Sequence, residues 1–166
     1  GLDRVTVSLD ALDEATFAAI TDSGHTVAAV LAGIEAAESV GLGPIKINTV
    51  LKKNANEDEL LDLVERFSNR DIAVRFIEFM DVGTTNGWAM EDVVTAADIR
   101  QQFDHLTSLP ASKPGEVAKR YQLPNGGEVG LITSVTEPFC GDCSRARLSA
   151  DGHLYTCLFA SQGFLS

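Results

Sequence analysis

The sequence is poor in cysteine, methionine, tryptophan and basic side chains, and it lacks long apolar runs. Its 166 residues include 13 Lys and Arg against 24 Asp and Glu, which gives a net charge of −11. A surface with this charge repels a polyanion such as DNA, so general nucleic-acid binding is excluded. No run approaches the ~20 apolar residues of a membrane span, and the N-terminus does not join a basic stretch to an apolar one. The sequence therefore predicts a cytoplasmic protein without a signal peptide and without nucleic-acid or membrane partners.

Only three cysteines are present, and all lie late in the sequence, at Cys140, Cys143 and Cys157. An odd number of cysteines in a cytoplasmic protein argues against a disulfide framework and favours metal or redox chemistry. Apolar side chains are abundant, at 45% of residues, which is enough for a folded protein with a sizeable core. The acidity belongs to residues 1–104, with 19 acidic and 8 basic side chains, whereas residues 105–166 carry 5 of each.

Strand and helix patterns alternate over the first 80 residues. Three segments rich in β-branched residues predict strands, at residues 4–10, 45–51 and 72–80. Helical periodicity follows the capping residues Asp13 and Thr26. Asn56, with Glu59 three residues later, predicts a capping box at a third helix. This βαβαβ order implies an α/β fold with three neighbouring strands of a parallel sheet or barrel.

The pattern changes to strands and turns in the last third of the sequence. We expect short strands around a turn at residues 125–127 and a hairpin folded about Asp151 and Gly152. Three parallel strands cannot close a (β/α) barrel, which typically takes ~250 residues. The rest of a barrel wall is therefore expected from sequence absent here or from another chain.

Strands buried in a parallel sheet are usually apolar throughout, but polar side chains interrupt the strands predicted here. Lys46 lies between two isoleucines, and burying its charge is costly unless an anion or a carboxylate meets it. One interpretation is an ion pair of Lys46 with Glu78 or Asp10, or an exposed sheet face. The other is a ligand-lined barrel lumen, because α/β sites form at the carboxyl ends of strands. The residues near those ends are Ser8, Asp10, Asn48, Glu78 and Met80.

Cys140 and Cys143 form a CGDC motif, and 13 residues separate Cys143 from Cys157. A thioredoxin-type motif should open a helix, whereas this one precedes an alternating strand pattern. Zinc needs four ligands, and the fourth candidate, His153, would lie about 13 Å from Cys157 along an extended strand. An iron–sulfur cluster held by three cysteines leaves one iron free to meet a substrate. The spacing alone leaves both the cluster and zinc open.

Arg145 and Arg147 share strand parity with Cys143, so all three side chains are expected on one face. Two guanidiniums beside a metal site form a receptor for phosphate or carboxylate oxygens. The alternative is that these arginines pair with Glu128 or Glu137 on the surface.

The segment PFCGDCSRARLSADGHLYTCLF resembles the C-terminal cluster motif of the GTP 3',8-cyclase family, radical S-adenosylmethionine enzymes of molybdenum cofactor biosynthesis. The strands DRVTVSLD, IKINTV and RFIEFM, the last followed by a tryptophan-containing loop, occur in the family's order. The resemblance implies that residues 1–104 form the second half of an incomplete (β/α) radical S-adenosylmethionine barrel. Residues 105–166 would then be a small, mainly antiparallel substrate-binding region. The implied activity of the intact protein is a lyase reaction that converts GTP to a 3',8-cyclised guanosine triphosphate.

The resemblance also implies roles for single residues, in three groups. Three cysteines would hold an auxiliary 4Fe-4S cluster whose open iron meets the guanine of GTP. A basic set, with the backbone between two arginines, would bind GTP, and two residues would contact S-adenosylmethionine. The implied cluster ligands are Cys140, Cys143 and Cys157. The implied GTP-binding residues are Lys46, Arg145, Ala146 and Arg147, and the implied contacts to S-adenosylmethionine are Ser8 and Met80. Asp10, Asn48 and Glu78 are lumen-lining candidates only.

The family's CxxxCxxC motif, which holds the 4Fe-4S cluster that cleaves S-adenosylmethionine, is absent from this sequence. We therefore expect a fragment that is inactive alone and whose second cluster belongs to a missing N-terminal half. The resemblance further implies an electron donor, transfer of the product to cyclic pyranopterin monophosphate synthase, and a homodimer as a candidate assembly. Two alternatives from other classes are a zinc-stapled module without catalysis and a phosphate-binding barrel enzyme without radical chemistry.

Overall fold

A computed structural model describes residues 1–80, 87–143, 145–160 and 162–165. Residues 81–86 of the loop after the third predicted strand, and Ser144 of the cysteine motif, lie outside the described residues. The helices are α1 (Glu14–Thr21), α2 (Val27–Ser39), α3 (Leu60–Phe67) and α4 (Ala96–Gln101). The strands are β1 (Thr6–Ser8), β2 (Ile45–Leu51), β3 (Ile72–Glu78), β4 (Thr107–Leu109), β5 (Lys119–Gln122), β6 (Glu128–Ile132), β7 (Arg147–Leu148), β8 (His153–Tyr155) and β9 (Phe164–Leu165).

Six strands form one sheet in the order β1-β2-β3-β6-β5-β4. The first three pairings are parallel, and the last two, β6 with β5 and β5 with β4, are antiparallel. The predicted α/β class and the parallel order of the first three strands are confirmed. Strands β4, β5 and β6, which follow residue 104, continue this sheet, and the boundary between residues 1–104 and 105–166 stays a prediction. Strand β4 was not predicted, because its three residues carry no recognisable alternation.

One face of the sheet carries the hydrophobic core. Along β2, buried residues alternate with half-buried ones, so Ile45, Ile47 and Leu51 point to one side. They pack with apolar side chains of the helices, among them Ile34 and Phe67, in a single cluster. Because side chains alternate across a strand, Lys46, Asn48 and Val50 lie on the opposite, less covered face.

Helices α1 and α2 begin at their predicted caps. Asp13 accepts the N–H of Thr16 and Thr26 accepts that of Ala29. The predicted capping box at Asn56 is wrong, because that buried amide instead donates to the carbonyls of Asp10 and Val50. Glu59 does not complete the capping box either, because its carboxylate accepts backbone N–H groups of the loop before α1. The fourth start, at α4, has a complete capping box between Thr95 and Asp98.

A second, three-stranded antiparallel sheet has the order β7-β8-β9. The predicted hairpin about Asp151 and Gly152 is confirmed, and Gly152 has φ +85°, a value that favours glycine. We call residues 134–165 the cysteine segment. None of its described side chains is buried, whereas buried residues continue along the chain up to Thr133. In the described residues, no helix is both long and apolar enough to cross a bilayer.

Candidate anion and cluster site

The less covered face of the sheet holds a row of polar side chains from neighbouring strands. The register places Ser8 opposite Asn48 and Asn48 opposite Arg75, so the three lie side by side. Arg75 Nε donates to Asn48 Oδ1 at 2.9 Å, which fixes the direction of the guanidinium. Arg75 was not singled out from the sequence. The sequence offers one signal: a single basic residue between Val74 and Phe76 on a strand predicted to be buried.

Lys46 lies on the same face as Asn48, one pleat nearer the start of β2. Burial, and next the positive charge of Arg75, lower the pKa of the Lys46 ammonium. Burial likewise lowers the pKa of Arg75. No ion pair of Lys46 occurs within the described residues. The charges of Glu116 and Glu128 partly offset both shifts, and Lys46 lines a separate cavity with these two glutamates. Arg75, by contrast, faces the cavity that the cysteines line, where a desolvated cation favours an anionic ligand.

Glu78 is not on this face, but it lines a second cavity with Asp10 and Met80, so its place as a lumen-lining candidate stays a prediction. It is paired in register with Leu51 and shares the core side of β3 with Phe76. The predicted pair of Lys46 with Glu78 is wrong for that reason. Asp10 does not pair with Lys46 either, because its Oδ1 accepts the N–H of Val50 at 2.8 Å.

The three cysteines and two predicted arginines converge on one cavity of about 440 Å³. The open face of the sheet contributes its floor, and the cysteine segment contributes the opposite wall. The polar and sulfur-bearing residues that line it include Asn48, Arg75, Met80, Cys140, Cys143, Arg145, Arg147 and Cys157. No aspartate or glutamate is found among the described residues of the lining. In a chain of net charge −11, this cavity is a local cationic site.

The three thiols are free and exposed. The backbone N–H of Arg145, and next its guanidinium, lower the pKa of the Cys143 thiol, so the thiolate that binds metal is favoured. Among the described residues, no set of three or more Cys, His, Asp or Glu side chains is arranged to hold a single metal ion. A four-iron cluster binds each cysteine through a different iron, so its sulfurs lie further apart than the ligands of one ion. Three free thiols lining one cavity are the kind of donor set that iron–sulfur clusters use.

The fourth ligand expected for zinc, His153, does not join the cysteines. His153 faces Asp151, with 3.1 Å between Nδ1 and Oδ2, and it does not line the cavity with the cysteines. A short 3-10 turn, Cys140–Asp142, leads to extended backbone at Cys143, and the next strand, β7, begins at Arg147. The thioredoxin interpretation therefore has no helix to stabilise a reactive thiolate here.

The alternative partners of the two arginines are occupied. Glu137 accepts from Arg100 at 3.0 Å and from Lys119 at 2.6 Å, and these two bonds lower its pKa to about 2. Glu128 is held by Arg120, with Nε to Oε1 at 2.9 Å. The predicted surface pairing of Arg145 and Arg147 with these glutamates is therefore wrong.

Arg145 instead lies over the ring of Phe139, with 5.3 Å from Cζ to the centroid, a cation–π contact. Arg147 belongs to β7 and is paired in register with Tyr155. Ala146, between the two arginines, is exposed and does not line the cavity.

A second cavity, of about 860 Å³, lies at the carboxyl ends of β1, β2 and β3. Asp10 and Lys52 contribute polar groups, and α1 contributes apolar ones such as Ile20. Burial raises the pKa of Asp10, an effect that the bond from Val50 partly offsets. Met80 lines both cavities, whereas Ser8 is exposed on β1 and lines neither.

The fold and the site define a mixed α/β protein with a mostly parallel sheet, a small antiparallel sheet and a cationic cavity lined by free cysteines. Residues 72–165 match the family model described as Molybdenum Cofactor Synthesis C, and the chain belongs to that family.

Curated relatives carry the name GTP 3',8-cyclase. The chain is 53% identical to the one from Xanthomonas campestris pv. campestris (strain B100), over 98% of this chain and 49% of the relative. It is 47% identical to the one from Acidothermus cellulolyticus, over 98% of this chain and 46% of the relative. It is 44% identical to one from Staphylococcus aureus, over 97% of this chain and 48% of the relative. The chain thus spans about half the length of the curated relatives it matches. The predicted resemblance to GTP 3',8-cyclases is confirmed.

Proposed function

We propose that this chain is the part of a GTP 3',8-cyclase that binds GTP and holds an auxiliary 4Fe-4S cluster. The observation that carries the proposal is the cavity in which Cys140, Cys143 and Cys157 meet three arginines. Its volume of about 440 Å³ suits a ligand of nucleotide size, and its charge suits a polyphosphate.

In this proposal the three cysteines hold the cluster, and its iron without a cysteine ligand supplies a Lewis acid for the guanine end of GTP. Arg145 and Arg147 chelate phosphate oxygens in a bidentate manner. Arg75, oriented by Asn48, extends the cationic wall across the sheet face, and Lys46 adds a charge further along it. Ala146 contributes backbone groups between the arginines.

We extend the proposal to S-adenosylmethionine, which Met80 and Ser8 would contact from the carboxyl ends of β3 and β1. In the intact protein, S-adenosylmethionine would supply the radical chemistry by which GTP is cyclised. This chain has three cysteines and no CxxxCxxC motif, so it supplies the substrate side of that reaction and not its initiation. An electron donor, a synthase that takes the product and a second copy of the protein are the proposed partners.

Anaerobic reconstitution of the chain with ferrous iron and sulfide tests the proposal. We expect about four irons per chain with broad visible absorbance, and GTP binding that Arg66→Ala leaves unchanged. Arg66 is the matched control because it is exposed on α3, away from the cavity. Uptake of one zinc and no iron, or GTP affinity independent of the cavity arginines, would contradict the proposal.

A further inference from the structure

We propose that Glu78 is a positioning residue for the cysteine motif. Its carboxylate anchors the backbone that leads into Cys140, so that the cysteines reach the cavity in a fixed place. This inference rests on the proposed function, because it concerns the geometry of the three thiols as cluster ligands.

Glu78 is the last residue of β3 and is only 1% exposed. Burying a carboxylate is costly unless hydrogen bonds satisfy it. Here every partner is a donor: Oε2 accepts the N–H groups of Val135 and Thr136 at 2.8 and 2.9 Å. Oε1 accepts the N–H of Ala96 at 3.1 Å and the hydroxyl of Thr136. Four donors therefore meet the two oxygens, and the hydrogen-bonding capacity of the buried carboxylate is satisfied.

These bonds join three parts of the fold at one point. Glu78 ends the third parallel strand, Ala96 begins α4, and Val135 with Thr136 belong to the loop that follows β6. That loop continues through Pro138 into the 3-10 turn of the CGDC motif. Two consecutive N–H groups directed at one oxygen fix the backbone there more tightly than a single contact would.

The cysteine segment depends on such polar anchors because none of its described side chains is buried. A second anchor lies beside the first: Thr133 donates its hydroxyl to the carbonyl of Glu137 at 2.8 Å. Glu137 is in turn held by Arg100 and Lys119. Of these anchors, Glu78 makes the most hydrogen bonds to the loop, three in all, and it ends a central strand, so it transmits the position of the rigid sheet to the cysteines.

The test compares Glu78→Gln with a matched control, Glu59→Gln, by amide hydrogen exchange of the metal-free chain. Glu59 Oε2 also accepts two consecutive N–H groups, of Leu12 and Asp13, but in the loop between β1 and α1. A glutamine amide replaces one accepting oxygen with a donor, so some N–H groups at each site lose their partner.

We expect Glu78→Gln to accelerate exchange over residues 135–143 roughly ten- to a hundredfold while leaving Ile45–Leu51 as in the wild type. Glu59→Gln should accelerate exchange near Leu12 and leave residues 135–143 unchanged. If Glu78→Gln does not fold, Thr136→Val carries the test, because it removes one donor without altering the charge; it should accelerate the same segment severalfold. Wild-type exchange at residues 135–143, or equal acceleration in β2, would overturn the proposal.

Anaerobic loading with ferrous iron and sulfide then provides a spectroscopic measurement. The Glu78→Gln cluster should lose iron to a chelator severalfold faster than the wild type and show an altered electron paramagnetic resonance signal, whereas the Glu59→Gln cluster should match the wild type. An unaltered signal and rate in Glu78→Gln would overturn the positioning role. If the wild-type chain takes up no cluster, the proposed function fails, and the exchange comparison still decides whether Glu78 anchors the loop.

Discussion

The sheet and the cysteine segment keep their structure by different means. Up to Thr133 the chain builds a continuous apolar core in which Phe76 and Ile47 are fully buried. In the cysteine segment none of the described side chains is buried, and apolar residues such as Phe164 are exposed. Packing therefore stabilises the first part, whereas the second relies on polar anchors and, under the proposed function, on a bound cluster. The difference explains how one chain combines a rigid floor with a wall built around its ligands.

The largest expected effect comes from a substitution in the packed core of the sheet. Phe76 is 0% exposed on the core face of β3. Phe76→Ala should lower the free energy of unfolding by about 3–5 kcal/mol, because it removes buried apolar surface and leaves a cavity. Urea unfolding followed by circular dichroism measures the loss.

The conservative variant Phe76→Leu serves as the control and should lose about 1–2 kcal/mol, since it keeps most of the apolar volume. A loss below about 1 kcal/mol in Phe76→Ala would show that the core around β3 does not dominate the stability of the sheet.

The next effect concerns binding by the cysteine segment. Arg145→Ala and Arg147→Ala should each weaken GTP affinity of the reconstituted chain roughly ten- to a hundredfold, because each loses a charge-assisted contact of about 1.5–3 kcal/mol. The unfolding free energy should stay unchanged, since neither side chain is buried. Calorimetric titration with GTP and urea unfolding on the same preparations measure both quantities.

Lysine at either position should restore affinity only in part, because an ammonium supplies charge without the bidentate geometry. Unaltered GTP affinity in both alanine variants would remove these arginines from the binding site. Lower stability with unaltered affinity would assign them a structural role instead.

The sheet was the predictable part of the chain, and the cavity was less so. Alternation in β2 and the caps at Asp13 and Thr26 are local signals, and they predicted their elements to within a residue. Alternation within β3 places Glu78 on the side of Phe76, but two of the donors that satisfy its carboxylate lie 57 and 58 residues away, so no local pattern predicted its partners. The lone basic residue Arg75 was missed because it acquires its role only through the strand beside it.

A smaller effect concerns one polar anchor of the cysteine segment, the ion pairs of Glu137. Arg100 and Lys119 lower the pKa of Glu137 from 4.5 to about 2, so the folded state gains stability from the ionised carboxylate above pH 4.5. That gain should disappear as the pH falls from 4.5 towards 2. The side chain is 35% exposed, and solvent screening reduces the contribution to about 1 kcal/mol.

Urea unfolding of the wild type and Glu137→Gln between pH 6 and about pH 2.5 isolates this contribution from that of other carboxylates. The two proteins should differ most at pH 6 and converge at the acidic end. A difference that stays constant with pH would show that the charge of Glu137 is not what stabilises the start of the cysteine segment.

The smallest expected effect concerns the exposed apolar side chains of the cysteine segment. Leu148, Leu154 and Phe164 lie side by side across β7, β8 and β9, and each is at least 38% exposed. Leu154→Ala should therefore change the unfolding free energy by less than about 0.5 kcal/mol, because little apolar surface is withdrawn from water at this position. It should also leave iron uptake unchanged, because Leu154 does not line the cavity that the cysteines share. Urea unfolding and iron analysis of the reconstituted variant measure both. A loss of 2 kcal/mol or more, in the range of a buried leucine, would mean that these side chains form a core of their own, and that packing stabilises both parts of the chain.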